Sequence, residues 1–450
     1  MKLAVLGVLA NLEKAYSIAG VVIDQLRMLH RAGHDLVFVT TSDFQDTGCL
    51  PPGVSVRTYD RYHEPVVECD YNHLKPYVDL VSGQLQECLS DREACLTHDV
   101  LFLRDFAPVN WAMRHAAADL PDLRWFHWMH SAPSPHPRKV AYPFTACFAG
   151  MVNSRYISVN RTDVPRFRDM YQVPEAHVRT VHNVIDPPSA LTMHPLADEL
   201  YRGLTLYDAD IVCVYPTRMV SAKQIDKLIK LIACLKRAGQ SVRLIICNSY
   251  SASEQESKLI EDLSQLALEW GLSEGEFVFT SRFTSSWAKD SSYELSQGIP
   301  HKAVMDLLAL SDLFIQPSVS EACPIIMLEA GLAKALVVLN QDLQICNEFL
   351  GQEMAFEETK RGVAFSFGSV TRPVSSYYPD EKSWFEERAN KIIAIQASDK
   401  AIEFFKYVRK YHSEAWVYRH QLLPLLTEVG HCSAAPEPPR NVGPSDGPAN

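Results

Sequence analysis

Two Rossmann-like α/β domains are the fold class this sequence predicts, and three observations predict it. The chain has 450 residues, more than one hydrophobic core ordinarily serves, so two domains of about 200 residues each are expected. Apolar runs with strand character alternate with runs of helical period along most of its length, the pattern of parallel sheets covered by helices. Asp186-Pro187-Pro188-Ser189 interrupts that alternation and reads as a linker between two such series. A hydrophobic share of 47% with 22% charged residues is that of a water-soluble globular chain. The net charge of −11 argues against a protein that coats nucleic acid along its whole surface.

The elements come in order along the chain. Met1 to Ala10 superficially resembles a signal peptide, but one lysine, a short β-rich run and then Asn11, Glu13 and Lys14 fit a first buried strand, Leu3–Leu9, better. Val21, Val22, Leu26, Leu29 and His30 give a helix at 3.6-residue spacing, Gly33 closes it, and Leu36–Thr40 is the next strand. Further strands are expected near Val54–Tyr59, Val100–Leu103, Trp125–Met129, Gly150–Asn153 and Val178–His182, with an acidic helix near Leu74–Leu89. The second series starts with a strand at Ile211–Pro216, a helix at Ile225–Leu235 and a strand at Val242–Cys247. Helix Glu254–Trp270, strand Phe277–Thr280, helix His301–Leu310, strand Leu313–Gln316, helix Ile325–Leu332 and strand Ala335–Leu339 complete it. Residues 282–300 are polar and serine-rich and read as an inserted loop; from Cys432 onward Pro, Gly, Ser and Ala dominate, so 432–450 is expected to be disordered.

The residues that carry chemistry lie mostly in the second series. Glu321 and Glu329 stand eight apart, after a strand that ends in Gln316-Pro317-Ser318. Glu321 falls at the mouth of the next helix, where free backbone N–H groups favour anions, and Glu329 lies about two turns on, on roughly the same side. On spacing alone, a helix cap and an exposed glutamate are the better explanation of the pair. Arg218 and Lys223 come after the first strand of the same series, five apart. One guanidinium with paired donors and one ammonium suit a diphosphate.

Together these residues resemble the retaining glycosyltransferases of the GT-B fold, family 4, whose hallmark is E-x7-E after a Pro-Ser turn. The resemblance implies two Rossmann-like domains facing a central cleft and a C-terminal helix crossing back to the first domain. It makes 1–190 the acceptor domain, with the returning helix at 412–430, and 191–411 the donor domain. Glu321 is then at the donor sugar and Glu329 on the ribose hydroxyls. Ala322, Cys323, Pro324 and Ile325 offer amides to sugar and diphosphate, and Arg218 and Lys223 hold the diphosphate. The family has glycine after the lysine, where this chain has Gln224, and a glycine pair in the first βα loop, where only Gly20 is present. A family histidine at a strand end near the sugar matches His130 better than His127. Asn183 falls in His182-Asn183-Val184-Ile185-Asp186, which is similar to an Asn-Gly-x-Asp element; Asp186 reads as turn chemistry.

Between Arg124 and Arg179 stand eight Lys/Arg against three acids, with aromatics interleaved. Such a stretch suits a polyanionic acceptor, although scattered surface cations around core aromatics are the better explanation of it. Eleven cysteines with no C-x-x-C pair are the usage of a reduced, cytoplasmic protein. The histidines form no H-x-x-x-H or H-E-x-x-H ligand pair on a helix, so no metal or other cofactor is expected beyond the nucleotide sugar as donor substrate. No apolar run reaches the ~18 residues that span a bilayer. The reading is a metal-independent, front-face transfer of sugar from a nucleotide-diphosphate sugar to the hydroxyl of a glycan or small molecule. A modified nucleic-acid base as acceptor, a sugar-nucleotide epimerase and a non-catalytic sugar-nucleotide binder are the alternatives.

Overall fold

In the computed structural model, which describes residues 1–12, 17–64, 71–101, 104–130, 149–249, 253–321, 324–351, 358–369 and 380–428, every strand pairing within the two sheets is parallel. The chain divides into two units, residues 1–185 with 414 onward, and residues 186–413. The expected tail at 432–450, and Ala322, Cys323, Arg138 and Lys139, lie outside the described residues.

In the first unit β1 (Lys2–Leu6), α1 (Ser17–Arg31), β2 (Asp35–Thr41), β3 (Ser55–Tyr59), α2 (Tyr71–Leu89) and β4 (Ala94–His98) come first. They are followed by α3 (Ala107–Asp119), β5 (Arg124–Met129), β6 (Ser154–Ser158), α4 (Val164–Tyr171) and β7 (Val178–Thr180). The seven strands lie in the order β3-β2-β1-β4-β5-β6-β7. Alternation on β1 sends Ala4 and Leu6 into the core under α2 and α3, and Leu3 and Val5 into the core under α1. A strand buried on both faces must be apolar throughout, as Leu3–Leu6 is.

The second unit holds α5 (Pro187–Ala190), α6 (Pro195–Gly203), β8 (Ile211–Arg218), α7 (Ile225–Arg237), β9 (Val242–Ser249), α8 (Glu254–Glu269) and β10 (Phe277–Phe279). Next come α9 (Ser286–Asp290), α10 (His301–Leu310), β11 (Leu313–Gln316), α11 (Ile325–Leu332), β12 (Leu336–Asn340), α12 (Gln344–Leu350), β13 (Val363–Phe365), α13 (Glu381–Ser398) and α14 (Lys400–Tyr411). Its six strands are ordered β10-β9-β8-β11-β12-β13. The chain then returns to the first unit as α15 (Glu414–Val417), a π turn at Tyr418–Leu422 and α16 (Leu423–Thr427). Val417, Leu422, Leu425 and Leu426 join the core formed by Val22, Ile23 and Leu26 of α1. Glu414 pairs with Arg31, and Tyr418 meets His34 at 2.7 Å.

Several expectations need correction. The strand expected at Val100–Leu103 is instead β4, because Ala94, Cys95 and Leu96 register against Leu3, Ala4 and Val5 and are fully buried. The one expected at Gly150–Asn153 begins only at Ser154, since Asn153 has φ 51° and turns the chain. β13 was not foreseen: it is three residues long and starts after Gly362, where an added Cβ would stand 2.5 Å from the Val337 carbonyl of β12. Residues 282–300 are not all loop, for Ser285 caps α9 and Glu199 of α6 accepts from the Trp287 N–H at 2.9 Å. Asp186–Ser189 is no open linker; Pro187 and Pro188 are buried at the start of α5, and Asp186 pairs with Arg202 at 2.8 Å. Gly20 is not in the first βα loop but inside α1, with open space where a Cβ would go.

Candidate functional site

A crevice opens where the strand order of a doubly wound sheet reverses, because the loops after the two neighbouring strands leave in opposite directions. In the second unit those strands are β8 and β11, and both carry predicted site residues at their C-terminal ends. The loops are tied together: Val319 N donates to Ala222 O at 2.9 Å, and the buried Tyr215 hydroxyl reaches Ser318 Oγ at 3.2 Å. Lys223 Nζ donates to Glu321 Oε1, and Gln316 Nε2 donates to the same oxygen at 3.0 Å. The two charged side chains are only 18% and 11% exposed, so the pair bridges the loops at the edge of water. Close by, burial and then the Glu321 charge push the Cys346 thiol up to about 12, which makes it inert as a nucleophile.

Gln224 sits at φ 51°, ψ 44°, left-handed backbone that favours glycine. Its side chain fastens the turn, donating to Ser221 O at 3.0 Å and accepting from Lys227. The turn that presents Lys223 is thus kept without the glycine, at a backbone cost on the order of 1 kcal/mol. Arg218 ends β8 exposed, and its guanidinium has no partner among the described residues. Pro324 precedes α11 and gives no side-chain cap, so among the described residues the first-turn N–H groups of α11 have no capping side chain. Glu329 does not share partners with Glu321: His301 Nε2 of α10 donates to Glu329 Oε1 at 2.7 Å, and the carboxylate is 20% exposed. Gln316 and His301 were missed, since neither carries a local signal; each is found only once β11 and α10 are in place.

His130, Gly20 and Asn183 belong to the first unit. His130 comes directly after β5, and its backbone N–H donates to Asp99 Oδ1 at 2.7 Å. His127 is spent inside the sheet, between Thr97 Oγ1 at 3.0 Å and Ser154 Oγ at 3.1 Å. Asn183 is half-buried in the stretch between β7 and α5. Burial lowers His127 to about 3 and His130 to about 4, and keeps His98 well below the ordinary histidine range. These bases are neutral when folded and free to take protons when unfolded. Their contribution to stability is therefore complete above pH ~6.5 and lost as pH falls toward about 4. Urea unfolding between pH 7.5 and 4.5 is expected to show a falling midpoint, less steep in His127→Gln; identical slopes in both proteins would contradict this.

The basic stretch at 124–179 is largely satisfied internally. Arg124 donates to Leu426 O at 2.7 Å, and Arg155 and Arg179 share Glu428. Arg166 pairs with Asp163, and Arg168 with Asp169 and Glu175. Among the described residues no three His, Cys, Asp or Glu side chains cluster as a metal site, and no helix is long and apolar enough to cross a membrane.

No family model matches the chain, and no curated protein does. Solved structures that align with it include a glycosyltransferase from Rickettsia africae (12% identity, 93% of this chain and 96% of that one, TM-score 0.34). Another is HepE from Anabaena in complex with UDP-glucose (13%, 95% and 100%, TM-score 0.36). A third is sucrose-phosphate synthase from Thermosynechococcus elongatus (14%, 95% and 99%, TM-score 0.34). These superpositions are loose, and the fold rests on the strand orders and registers of the two sheets.

Proposed function

We propose that the chain is a glycosyltransferase on the GT-B plan, of the retaining family 4 type, that moves a sugar from a nucleotide-diphosphate sugar to an acceptor hydroxyl. The observation that carries this is the Lys223–Glu321 pair bridging the loops after β8 and β11, beside the uncapped start of α11. A diphosphate there would meet the Lys223 ammonium, the Arg218 guanidinium and the helix amides, and Glu321 would stand at the sugar. Charge that develops on the departing diphosphate is met by groups already in position. The acceptor hydroxyl attacks on the face the diphosphate leaves, and its proton passes to the leaving phosphate. His301 holds Glu329 ready for the ribose.

The internal partners of Arg124, Arg155, Arg166, Arg168 and Arg179 favour a glycan or small-molecule acceptor over nucleic acid. The E-x7-E arrangement weighs against an epimerase, and intact Arg218, Lys223, Glu321 and Glu329 against a mere binder. The test is a thermal-shift screen with UDP-, GDP- and ADP-sugars and the free diphosphates, alongside Arg218→Ala. A ligand that binds only the native state raises the melting temperature, so a shift with one nucleotide series, lost in the variant, is expected. No shift with any of them would overturn the reading. Glu329→Ala is expected to weaken donor binding about tenfold with kcat little changed, measured as KM for the donor that the screen selects.

A further inference from the structure

Arg161 and Arg179, both from the basic stretch at 124–179, line a cavity of about 460 Å³ in the first unit. That volume is in the range of small-molecule sites. Arg179 and Thr180 come from β7, the edge strand, and Arg161 from the loop after β6. Trp416, His420 and Glu428 come from the returning helical segment and form the facing wall. This is not the crevice of the sheet, because the strand order reverses between β1 and β4 and β7 stands three strands beyond β4.

The wall supplied by the returning segment is aromatic. Trp416 and His420 stack with ring centroids 4.7 Å apart and planes at 22°. His420 Nδ1 donates to the Trp416 carbonyl at 2.9 Å, which fixes the imidazole against the indole. The π turn at Tyr418–Leu422 widens the helix at this face, since Pro424 has no N–H for the carbonyl four residues back. Turns of this kind occur mostly at functional sites. Charge completes the cavity. Arg161 is exposed, and its guanidinium has no partner among the described residues. Arg179 Nη2 and Arg155 Nε reach opposite oxygens of Glu428 at 3.4 and 3.3 Å. Three guanidiniums thus stand against one carboxylate. Burial first, then Arg155 and Arg179, lower the neighbouring His177 below the ordinary histidine range, and Glu428 opposes them only in part.

We propose that this cavity binds an acidic saccharide, a sugar carrying a carboxylate, with the carboxylate on Arg161 and Arg179 and a C–H face of the ring on the Trp416–His420 pair. The excess of positive charge selects an anion, and the planar forks of arginine match a carboxylate. The aromatic wall selects a flat apolar face. A polyphosphate brings acceptors only, and Glu428 repels it. A sugar acid also brings hydroxyls, which donate to the Glu428 and Thr180 oxygens. An extended acidic peptide would pair with a sheet edge, and β7 offers only three residues for that. None of these residues belongs to the Lys223–Glu321 site, so the cavity has this role whether or not the chain is a transferase.

The experiment is a saturation-transfer NMR titration of the full chain with digalacturonate, glucuronate and N-acetylneuraminate. Lactose serves as the neutral sugar and pyrophosphate as the plain anion. At least one of the three acids is expected to bind with Kd at or below about 10 mM, and lactose more weakly. Arg161→Ala, a change at an exposed side chain, is expected to weaken that binding about tenfold with the melting temperature unchanged. His420→Ala is expected to weaken it about threefold. Nucleotide-sugar binding is expected to be native in both variants, which keeps this result apart from that of the donor screen. Any one of four results would overturn the proposal: no acid binds, lactose binds as well as the acid, equimolar pyrophosphate displaces the acid, or Arg161→Ala keeps native affinity.

Discussion

Lys223→Ala is expected to lower turnover by about two to three orders of magnitude, and to weaken binding of the donor diphosphate as well. Two effects combine. The ammonium that would meet the leaving phosphate is gone, and the Glu321 carboxylate, 11% exposed, is left with Gln316 as its remaining donor among the described residues. An uncompensated carboxylate then faces an incoming dianion. Glu321→Gln removes the carboxylate and keeps the ammonium, which frees Lys223 for the diphosphate: nucleotide affinity is expected to hold or rise while turnover falls. The double variant Lys223→Ala/Glu321→Gln is expected to bind free nucleoside diphosphate more tightly than Lys223→Ala alone, the signature of coupled neighbours. Steady-state kinetics and isothermal titration over the four proteins measure this. Native-like turnover in Lys223→Ala, or strictly additive effects on binding, would remove the pair from the site.

The elements that carry the candidate site were legible because their boundaries bear local marks. Pro317-Ser318 ends β11, Pro300 precedes α10 and Pro324 precedes α11, so the limits of His301–Leu310, Leu313–Gln316 and Ile325–Leu332 could be read directly. What holds those residues in place was not legible. Gln316 and His301 reach their glutamates across the fold, and hydrophobic period carries no information on such pairs. The contact of Gln25 with His98 was hidden for a related reason. Val100–Leu103 has the more apolar run, so it drew the strand away from Ala94–His98 and left His98 in a loop. Gln25 on α1 reads as a surface residue, although the helix turns it inward to 2% exposure. Register, set by burial against β1, decides both cases. Gln224 shows the converse: the missing glycine signalled a departure in sequence, whereas the backbone keeps the left-handed turn.

Arg409→Ala is expected to destabilise the second unit by about 3–5 kcal/mol, the scale for removing one partner of a buried ion pair. For a unit of this size that lowers the melting temperature by roughly 8–15 °C. Arg409 on α14 and Asp312 before β11 both have fully buried side chains and meet at 2.8 Å. The guanidinium also donates to Leu310 O and Ala209 O, both at 2.9 Å. One side chain thus closes the N-terminal ends of β8 and β11 under α14. Val212 N donates to Asp312 Oδ2 at 2.9 Å, and Gln396 of α13 donates to the Asp312 carbonyl at 3.0 Å. Without Arg409 the Asp312 carboxylate keeps one backbone donor among the described residues, too little to offset its burial. Replacing both partners tests this cause: Arg409→Met with Asp312→Leu is expected to recover most of the lost stability, because no charge is left stranded. Equal melting temperatures for Arg409→Ala and the native chain, or a double variant worse than the single, would show that the pair is not what secures α14. The pair lies at the opposite end of β8 and β11 from Lys223 and Glu321. Well below its melting temperature, Arg409→Ala is therefore expected to keep native kcat, which separates the anchor of these strands from the chemistry at their other end.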